Sequence, residues 1–422
     1  MSGFVKTLIV SNNPMSNHLN NGKTLMSLFG DFSTSELSQV YLKKHRFHEP
    51  DIDSFEVSPT SIHYNPGRES SGPNNCLREL SIEESEPGTV RVKGRPSKMR
   101  RKNVFTLLIR DLLYLPVAVF AAFKTRRHIL SKNVERVFWV YSDFLSMHLY
   151  LYLLKRLSRV RVDVFFTDDY LFEYTQEVEG SVAKRKGYYG LLYLSTKQMA
   201  KFFTKCFVIS EKMAGVYEKE LGVVSEVLLN PTEIECNSFC LSDKSYELRY
   251  FGSLHSGRFN ALIQVAKEVN KFNLEADAPD LNVCVYTSTM LTCAQMSLAE
   301  SHGVHIFKPV TGRAYLERVC SAFGLLLLES SSEENLKDTW LSCSTKVPEY
   351  LSSQRPIIAW GPIENPSIEV VVKSDSCIYL NDGVGGLLAL YDKLKMANLT
   401  ARAASIYRAK FSCEVMREKV KE

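Results

Sequence analysis

The chain has 422 residues, too many for one ordinary core, so two or three domains are expected. Its 45% hydrophobic and 23% charged content describes a globular soluble protein and excludes a disordered one. A net charge of +5 is too weak to argue for nucleic acid, and no such partner is expected.

The opening MSGFVKTLIVSNN holds an apolar run too short for a signal peptide. LIVS (8–11) reads as a buried strand, NNGKTLMSLF (20–29) as a helix entered through a glycine turn, and LSQVYL (37–42) as a second strand. Residues 64–103 break the alternation. They are rich in Gly, Pro, Ser and charge, and read as an insertion or mobile loop. The longest apolar stretch follows, about 104–123, interrupted by Arg110 and Asp111. A span needs about 20 mostly uncharged residues, so this segment reads as a buried or surface-lying helix. Basic clusters flank it, KGRPSKMRRK before and KTRRH after. Two readings stand: a core helix with solvated flanks, or a helix lying on an anionic membrane surface.

The alternation then resumes. Strands are expected at VFWVYS (137–142), VDVFFT (162–167), CFVIS (206–210) and SEVLLN (225–230), with helices over 144–157, near 188–203 and over 211–221. A second series has strands at ELRYFGS (247–253), LNVCVYTS (281–288), VHIFKPV (304–310), FGLLLLES (323–330), PIIAWG (356–361) and CIYL (377–380). RFNALIQVAKEVNKF is the helix after its first strand, and helical patterns fill about 384–421. Strands alternating with helices imply parallel sheets, here in two halves hinged near 230–245. The expected division is an N-terminal domain over 1–235, a C-terminal domain over 236–400 and a closing helix over 401–422.

Ten cysteines are scattered along the chain without a CxxC. Cys236 and Cys240 lack a second close pair, so a zinc site is not expected. Several cysteines fall in apolar runs, as free thiols of a reducing cytosol do, and no disulfide framework is expected.

Four fragments, in order, carry a family likeness: SNNPMSNHLNNGKT, CFVISEKMAGVYEKELG followed by VLLNP, LRYFGSLHSGR, and STKVPEYLSSQRPIIAWGP. Together they resemble a GT-B glycosyltransferase of the family 4 kind that makes bacterial cell-surface polysaccharides. The likeness spans most of the chain and omits residues 45–135. It implies an α/β fold of two Rossmann-like domains facing across a cleft, with the acceptor on the N-terminal side and a nucleotide-sugar donor on the C-terminal side.

The chemistry of the fragments agrees. Glycine turns and helix N-termini present free N–H groups to a diphosphate. By resemblance, Glu349 contacts the donor ribose, where a carboxylate accepts from two vicinal hydroxyls; the plain alternative is a first-turn glutamate favoured by the helix dipole. Ser344, Thr345 and Lys346 are expected to hold the diphosphate, and an ordinary N-cap would look alike. Arg258, after the glycine loop with Gly252 and Ser253, would neutralise the leaving group as negative charge grows on it. Gly22 would bring backbone close to the donor. Its neighbour Lys23 has no P-loop role, because NNGKT lacks the upstream glycine. Asp168 matches a family histidine by position. It would orient the acceptor hydroxyl or act as base, or simply cap a helix.

Two departures from the family pattern stand out. Its first paired glutamate would fall at Leu341, with Glu329, Glu333 or Glu334 as candidate substitutes, and its usual glycine is replaced at Gln354-Arg355. The resemblance implies no metal and no cofactor beyond the nucleotide-sugar co-substrate. The expected enzyme is a retaining, metal-independent hexosyl transferase. It would act on a glycan or lipid-linked acceptor in the cytoplasm, peripheral to an anionic membrane surface. A nucleotide-sugar 2-epimerase of the same fold and a non-catalytic glycan-assembly subunit are the alternatives.

Overall fold

The computed structural model describes residues 5–16, 20–41, 52–57, 104–174, 182–232, 234, 236, 246–380 and 384–421. The insertion expected at 64–103 lies outside them. In chain order the first half runs β1 (Thr7–Ser11), α1 (Asn20–Leu28), β2 (Leu37–Tyr41), β3 (Asp53–Glu56), α2 (Val104–Lys132), β4 (Arg136–Val140), α3 (Leu145–Ser158), β5 (Arg161–Phe165), β6 (Phe172–Tyr174), β7 (Val182–Lys184), α4 (Tyr188–Met199), β8 (Lys205–Val208), α5 (Glu211–Leu221) and β9 (Glu226–Val227). The second half runs β10 (Glu247–Phe251), α6 (Arg258–Glu275), β11 (Asn282–Tyr286), α7 (Cys293–Ser301), β12 (Val304–Phe307), α8 (Gly312–Cys320), β13 (Gly324–Leu328), α9 (Glu333–Thr339), α10 (Lys346–Ser352), β14 (Ile357–Trp360), α11 (Pro366–Lys373), β15 (Cys377–Tyr379), α12 (Lys393–Ile406) and α13 (Cys413–Lys421).

Two parallel sheets result. The first has strand order β3-β2-β1-β4-β5-β8-β9 and the second β12-β11-β10-β13-β14-β15. Their central strands are buried along their whole length, as in β1 and β13. Helices cover both faces of such a sheet, so its strands read as continuous apolar runs. Both orders reverse direction beside the first strand, between β1 and β4 and again between β10 and β13. Crevices at such reversals, beyond the carboxyl ends of the strands, are where open α/β sheets bind ligands.

The C-terminal helix α13 returns to the first domain. Arg417 donates to the Ser27 carbonyl at 2.8 Å and pairs with Asp31, while the buried Arg136 of β4 reaches the Val420 carbonyl at 2.5 Å. Arg136 also contacts the buried Asp163 at 3.7 Å and bonds Thr7 Oγ1, so its charge is compensated inside the domain.

Three expectations need correction. The apolar helix continues past residue 123 to Lys132, because Ala118, Ala121, Ala122, Thr125 and Ile129 keep one small, buried face against α3. SEVLLN is paired only over Glu226–Val227, since it sits at the sheet edge with β8 as its partner there. Cys236 and Cys320 form a disulfide that ties the domain crossover to the end of α8. Their 84-residue separation hid the pairing; folding brings the Cα atoms to 5.2 Å, within bridging range. The hairpin β6–β7 and strand β3 had no clear alternation to announce them.

Candidate active site

The reversal between β10 and β13 is crowded with charge and built on glycine. Gly252, just after β10, has φ +126°, and a Cβ there would sit 2.7 Å from Lys346 Cε and 2.8 Å from its Nζ. Gly257, at φ +74°, opens α6, and a Cβ on it would strike Ser330 and Asn335. These two positions require glycine both for conformation and for space. Gly361, after β14, approaches Glu329 in the same way, with 2.9 Å from a built Cβ to the Glu329 carbonyl oxygen. Gly252 thereby admits the long side chain of Lys346, and Arg258 and Glu329 pair close by.

Arg258 is the first residue of α6. Its Nη2 donates to both oxygens of Glu329, at 3.0 and 3.1 Å. Glu329 directly follows β13 and is buried. Burial works against the Arg258 charge, but Glu329 and Tyr250 outweigh it and move the guanidinium pKa upward. Lys346, at the start of α10, is more weakly compensated. Burial, and then the nearby Arg258, press its pKa down to about 8.

Beside Lys346 lies a pocket of about 330 Å³, lined among others by Phe251, Gly252, Tyr286, Tyr315, Thr345 and Glu349. Phe251 and Tyr286 stack with ring centres 5.0 Å apart, and Tyr286 stacks on Phe307 at 5.1 Å. Phe251 and Tyr286 thus border the pocket as a stacked aromatic pair. Tyr315 of α8 donates to Glu349 Oε2 at 2.7 Å and orients that carboxylate. Burial raises the Glu349 pKa, while Tyr315, Lys346 and Lys23 oppose the rise. Lys23 comes from α1 of the first domain and lines the same pocket, so the site spans both domains.

Of the residues expected from sequence, Gly252, Thr345, Lys346 and Glu349 converge on this pocket. Arg258 lies behind it, engaged with Glu329. Ser253 is tied into its own loop, its carbonyl accepting from Tyr250 and its Oγ from the His255 N–H. Ser344 Oγ accepts weakly from the Lys346 N–H at 3.4 Å, and its own N–H donates to Ser367 Oγ. Gly22 is buried and packed against backbone, a Cβ on it falling 2.6 Å from the Pro14 carbonyl oxygen and 2.9 Å from the Ser16 nitrogen, and it does not line the pocket.

Asp168 lies beyond β5 on the opposite wall. Its Oδ1 accepts from Ser342 Oγ of the second domain at 2.9 Å and from the Asp169 N–H at 2.9 Å. Its neighbour Asp169 is buried and accepts from the N–H groups of Leu171 and Phe172 and from the Tyr217 hydroxyl. Leu341, where the family pattern has glutamate, is a core residue whose carbonyl accepts from Ser210 Oγ. Of the candidate substitutes only Glu329 enters the charged cluster; Glu333 and Glu334 are exposed in the first turn of α9. Among the described residues no group of three His, Cys, Asp or Glu side chains is placed to hold a metal ion.

Sequence reasoning missed Tyr315 and Lys23. GRAYLERVC carries no local signal that singles out the tyrosine. Lys23 followed the glycine that drew attention to the loop, but its route into the pocket depends on how the domains face each other.

No family model matches the chain, and no curated protein sequence matches it. Solved structures do resemble it. Sucrose-phosphate synthase from Thermosynechococcus elongatus is 9% identical, with 98% of this chain and 97% of that one covered at a TM-score of 0.58. TarM is 11% identical, with 98% of each chain covered at 0.58. A UDP-N-acetylglucosamine 2-epimerase homologue from Listeria monocytogenes is 8% identical, with 99% and 95% covered at 0.51. At this identity the likeness establishes the fold: two parallel-sheet α/β domains in the GT-B arrangement.

Proposed function

We propose that the chain transfers a glycosyl group from a nucleotide diphosphate-sugar to a hydroxyl acceptor across the cleft. The observation that carries this reading is the pocket holding Lys346, Lys23 and the oriented Glu349 beside the aromatic side chains Phe251 and Tyr286. A nucleotide diphosphate-sugar presents that pattern in reverse: a flat base, a vicinal diol and two phosphates. The stacked rings suit the base, Glu349 the diol, and Lys346 the diphosphate. As the bond to the sugar breaks, negative charge builds on the departing phosphate, and a cation fixed there lowers the barrier. Arg258, held by both Glu329 oxygens through its Nη2, adds a second fixed positive charge beside Lys346. Asp168, on the facing wall, orients the acceptor hydroxyl.

We take the reaction to be retaining and independent of metal, with the lysines meeting the diphosphate charge; EDTA should then leave turnover unchanged. The deciding experiment is calorimetry and donor turnover across UDP-, GDP- and dTDP-sugars. Binding of one of them, with sugar transfer to a glycan hydroxyl, is the expected result. Conversion of UDP-GlcNAc to its 2-epimer without acceptor would replace transfer by epimerisation, and absence of binding to all of them would end both enzymatic readings.

A further inference from the structure

Ten large apolar side chains exposed among the described residues lie on the single helix α2, and most of the others are scattered through both domains. Single exposed apolar residues are ordinary, whereas a contiguous stripe of them marks a contact surface. Phe105, Ile109, Leu112, Leu113, Phe120 and Phe123 recur at three- and four-residue steps, so they share one helix face. That face is about 27 Å long at 1.5 Å per residue. Phe105, Leu112 and Leu113 are 67%, 64% and 68% exposed. The opposite face, with Leu107, Asp111, Ala118, Ala122 and Thr125, is buried, and Thr125 shares a hydrogen bond with Tyr150 of α3.

Charge completes the pattern. The only acidic residue of α2, Asp111, is buried, where it accepts from Ser146 and Tyr188. Exposed Lys124, Arg126 and Arg127 follow the apolar stripe at its C-terminal end. Asp53 pairs with Lys132 beyond them, which leaves Lys124, Arg126 and Arg127 as the cations next to the stripe. A helix packed to its domain along one side, apolar outward and edged by such cations, has the chemistry that meets an anionic bilayer surface. Its buried polar contacts with α3 and α4 hold it against the domain, so it lies on the surface rather than crossing.

We propose that the outward face of α2 docks the protein onto an anionic lipid surface. The same helix is tied to the end of a strand of the first-domain sheet. Arg110 donates to the Asp143 carbonyl at 2.6 Å and to Tyr188 at 3.0 Å, which fastens α2 to the carboxyl end of β4 on the acceptor wall. Docked this way, the acceptor wall stands near the bilayer and a lipid-borne acceptor can reach it. That last consequence rests on the transferase reading; the docking does not.

The test is flotation of the full chain with vesicles of phosphatidylcholine containing phosphatidylglycerol, beside pure phosphatidylcholine. Co-flotation with the anionic vesicles is expected. Leu112→Ser with Leu113→Ser should cut the bound fraction by about tenfold or more, and Lys124→Glu with Arg127→Glu should weaken it and remove the preference for anionic lipid. Because Leu112 and Leu113 point outward, the thermal midpoint of the serine pair should hold, while Leu107→Ser on the buried face should lower it. Three results would overturn the proposal: no flotation of the wild type, binding indifferent to the serine pair, or a wild-type dimer in sedimentation that the serine pair dissolves without any vesicle binding. Donor calorimetry on the same preparations keeps the two proposals apart, since a chain that binds donor but not vesicles loses only the docking.

Discussion

The two walls of the cleft use polar side chains in opposite ways. On the first-domain side the carboxylates Asp111 and Asp169 are met by the protein itself. Asp111 accepts from the Ser146 N–H and hydroxyl and from Tyr188, and Asp169 accepts from two N–H groups and Tyr217. His148 is buried against Trp139 and Tyr141, and burial drops its pKa to about 3, so the ring is neutral. On the second-domain wall, Lys346 and Glu349 line an open pocket, and Lys346 carries a charge that burial makes costly. Buried polar groups normally have partners. A weakly compensated cation at a sheet reversal, beside a glycine that exists to admit it, therefore points to a ligand. The difference teaches that the first wall is built to hold shape and the second to bind charge.

The sharpest way to break this comparison is Lys346→Met, which keeps much of the side-chain volume and removes the charge. Donor turnover should fall by about 10²- to 10³-fold, as when one preorganised charge-stabilising group is lost. Near-wild-type kcat/KM would move the diphosphate elsewhere. The wild-type pH profile should carry the same signature. Lys346 is charged below about 8 and neutral above it, so donor affinity should weaken as pH rises through 8. Lys346→Arg should push that inflection out of the measurable range, because guanidinium stays protonated.

Arg258→Met tests the neighbouring pair. It strands Glu329 as a buried, unpaired carboxylate, and such a break costs about 3 kcal/mol of stability. Urea unfolding should show the loss, and adding Glu329→Gln should restore most of it while turnover stays low. Recovery of turnover in the double variant would leave Arg258 with a structural role only.

A smaller effect is expected on the first wall. Asn in place of Asp169 keeps an oxygen to accept from the Leu171 and Phe172 N–H groups, so Asp169→Asn should change stability by less than about 1 kcal/mol and leave turnover alone. The pH dependence carries the test. Burial raises the Asp169 pKa from the ordinary carboxylate range to about 7, so the folded state favours the protonated acid. That contribution stabilises the fold below about pH 4 and is lost as pH rises toward 7. Asp169→Asn should flatten that part of the stability profile; an unchanged slope would show that Asp169 titrates normally.

The second wall was also the more legible in sequence, and for a physical reason. Its site is assembled from the ends of strands and the residues directly after them, so short fragments such as YFGS and STKVPEY hold most of the parts. Strand runs such as GLLLL are legible because both faces are buried, which removes any ambiguity of period. The first wall depends on encounters between distant elements: Asp111 meets Tyr188 across 77 residues, and Asp168 meets Ser342 across 174. No local pattern encodes those meetings. Glu329 shows the boundary between the two cases. Its place at a strand end was readable, but its selection over Glu333 and Glu334 depended on Arg258 and Gly361 arriving from elsewhere.

Gln354 gives the last and smallest test, at a position where the chain departs from the pattern it resembles. It follows α10 and precedes β14, and its φ is +54°. An L-residue in the left-handed region meets its own carbonyl through Cβ, a clash glycine avoids. The family's glycine thus answers a backbone demand that this chain retains while carrying a side chain there. Gln354→Gly should relieve the clash and lose part of the gain to the greater freedom of the unfolded chain, leaving a net stabilisation of about 1 kcal/mol or less. Because the turn sets how α10 enters β14, donor affinity should stay constant while the unfolding midpoint rises. A falling midpoint would mean that the exposed glutamine side chain contributes more than its conformation costs.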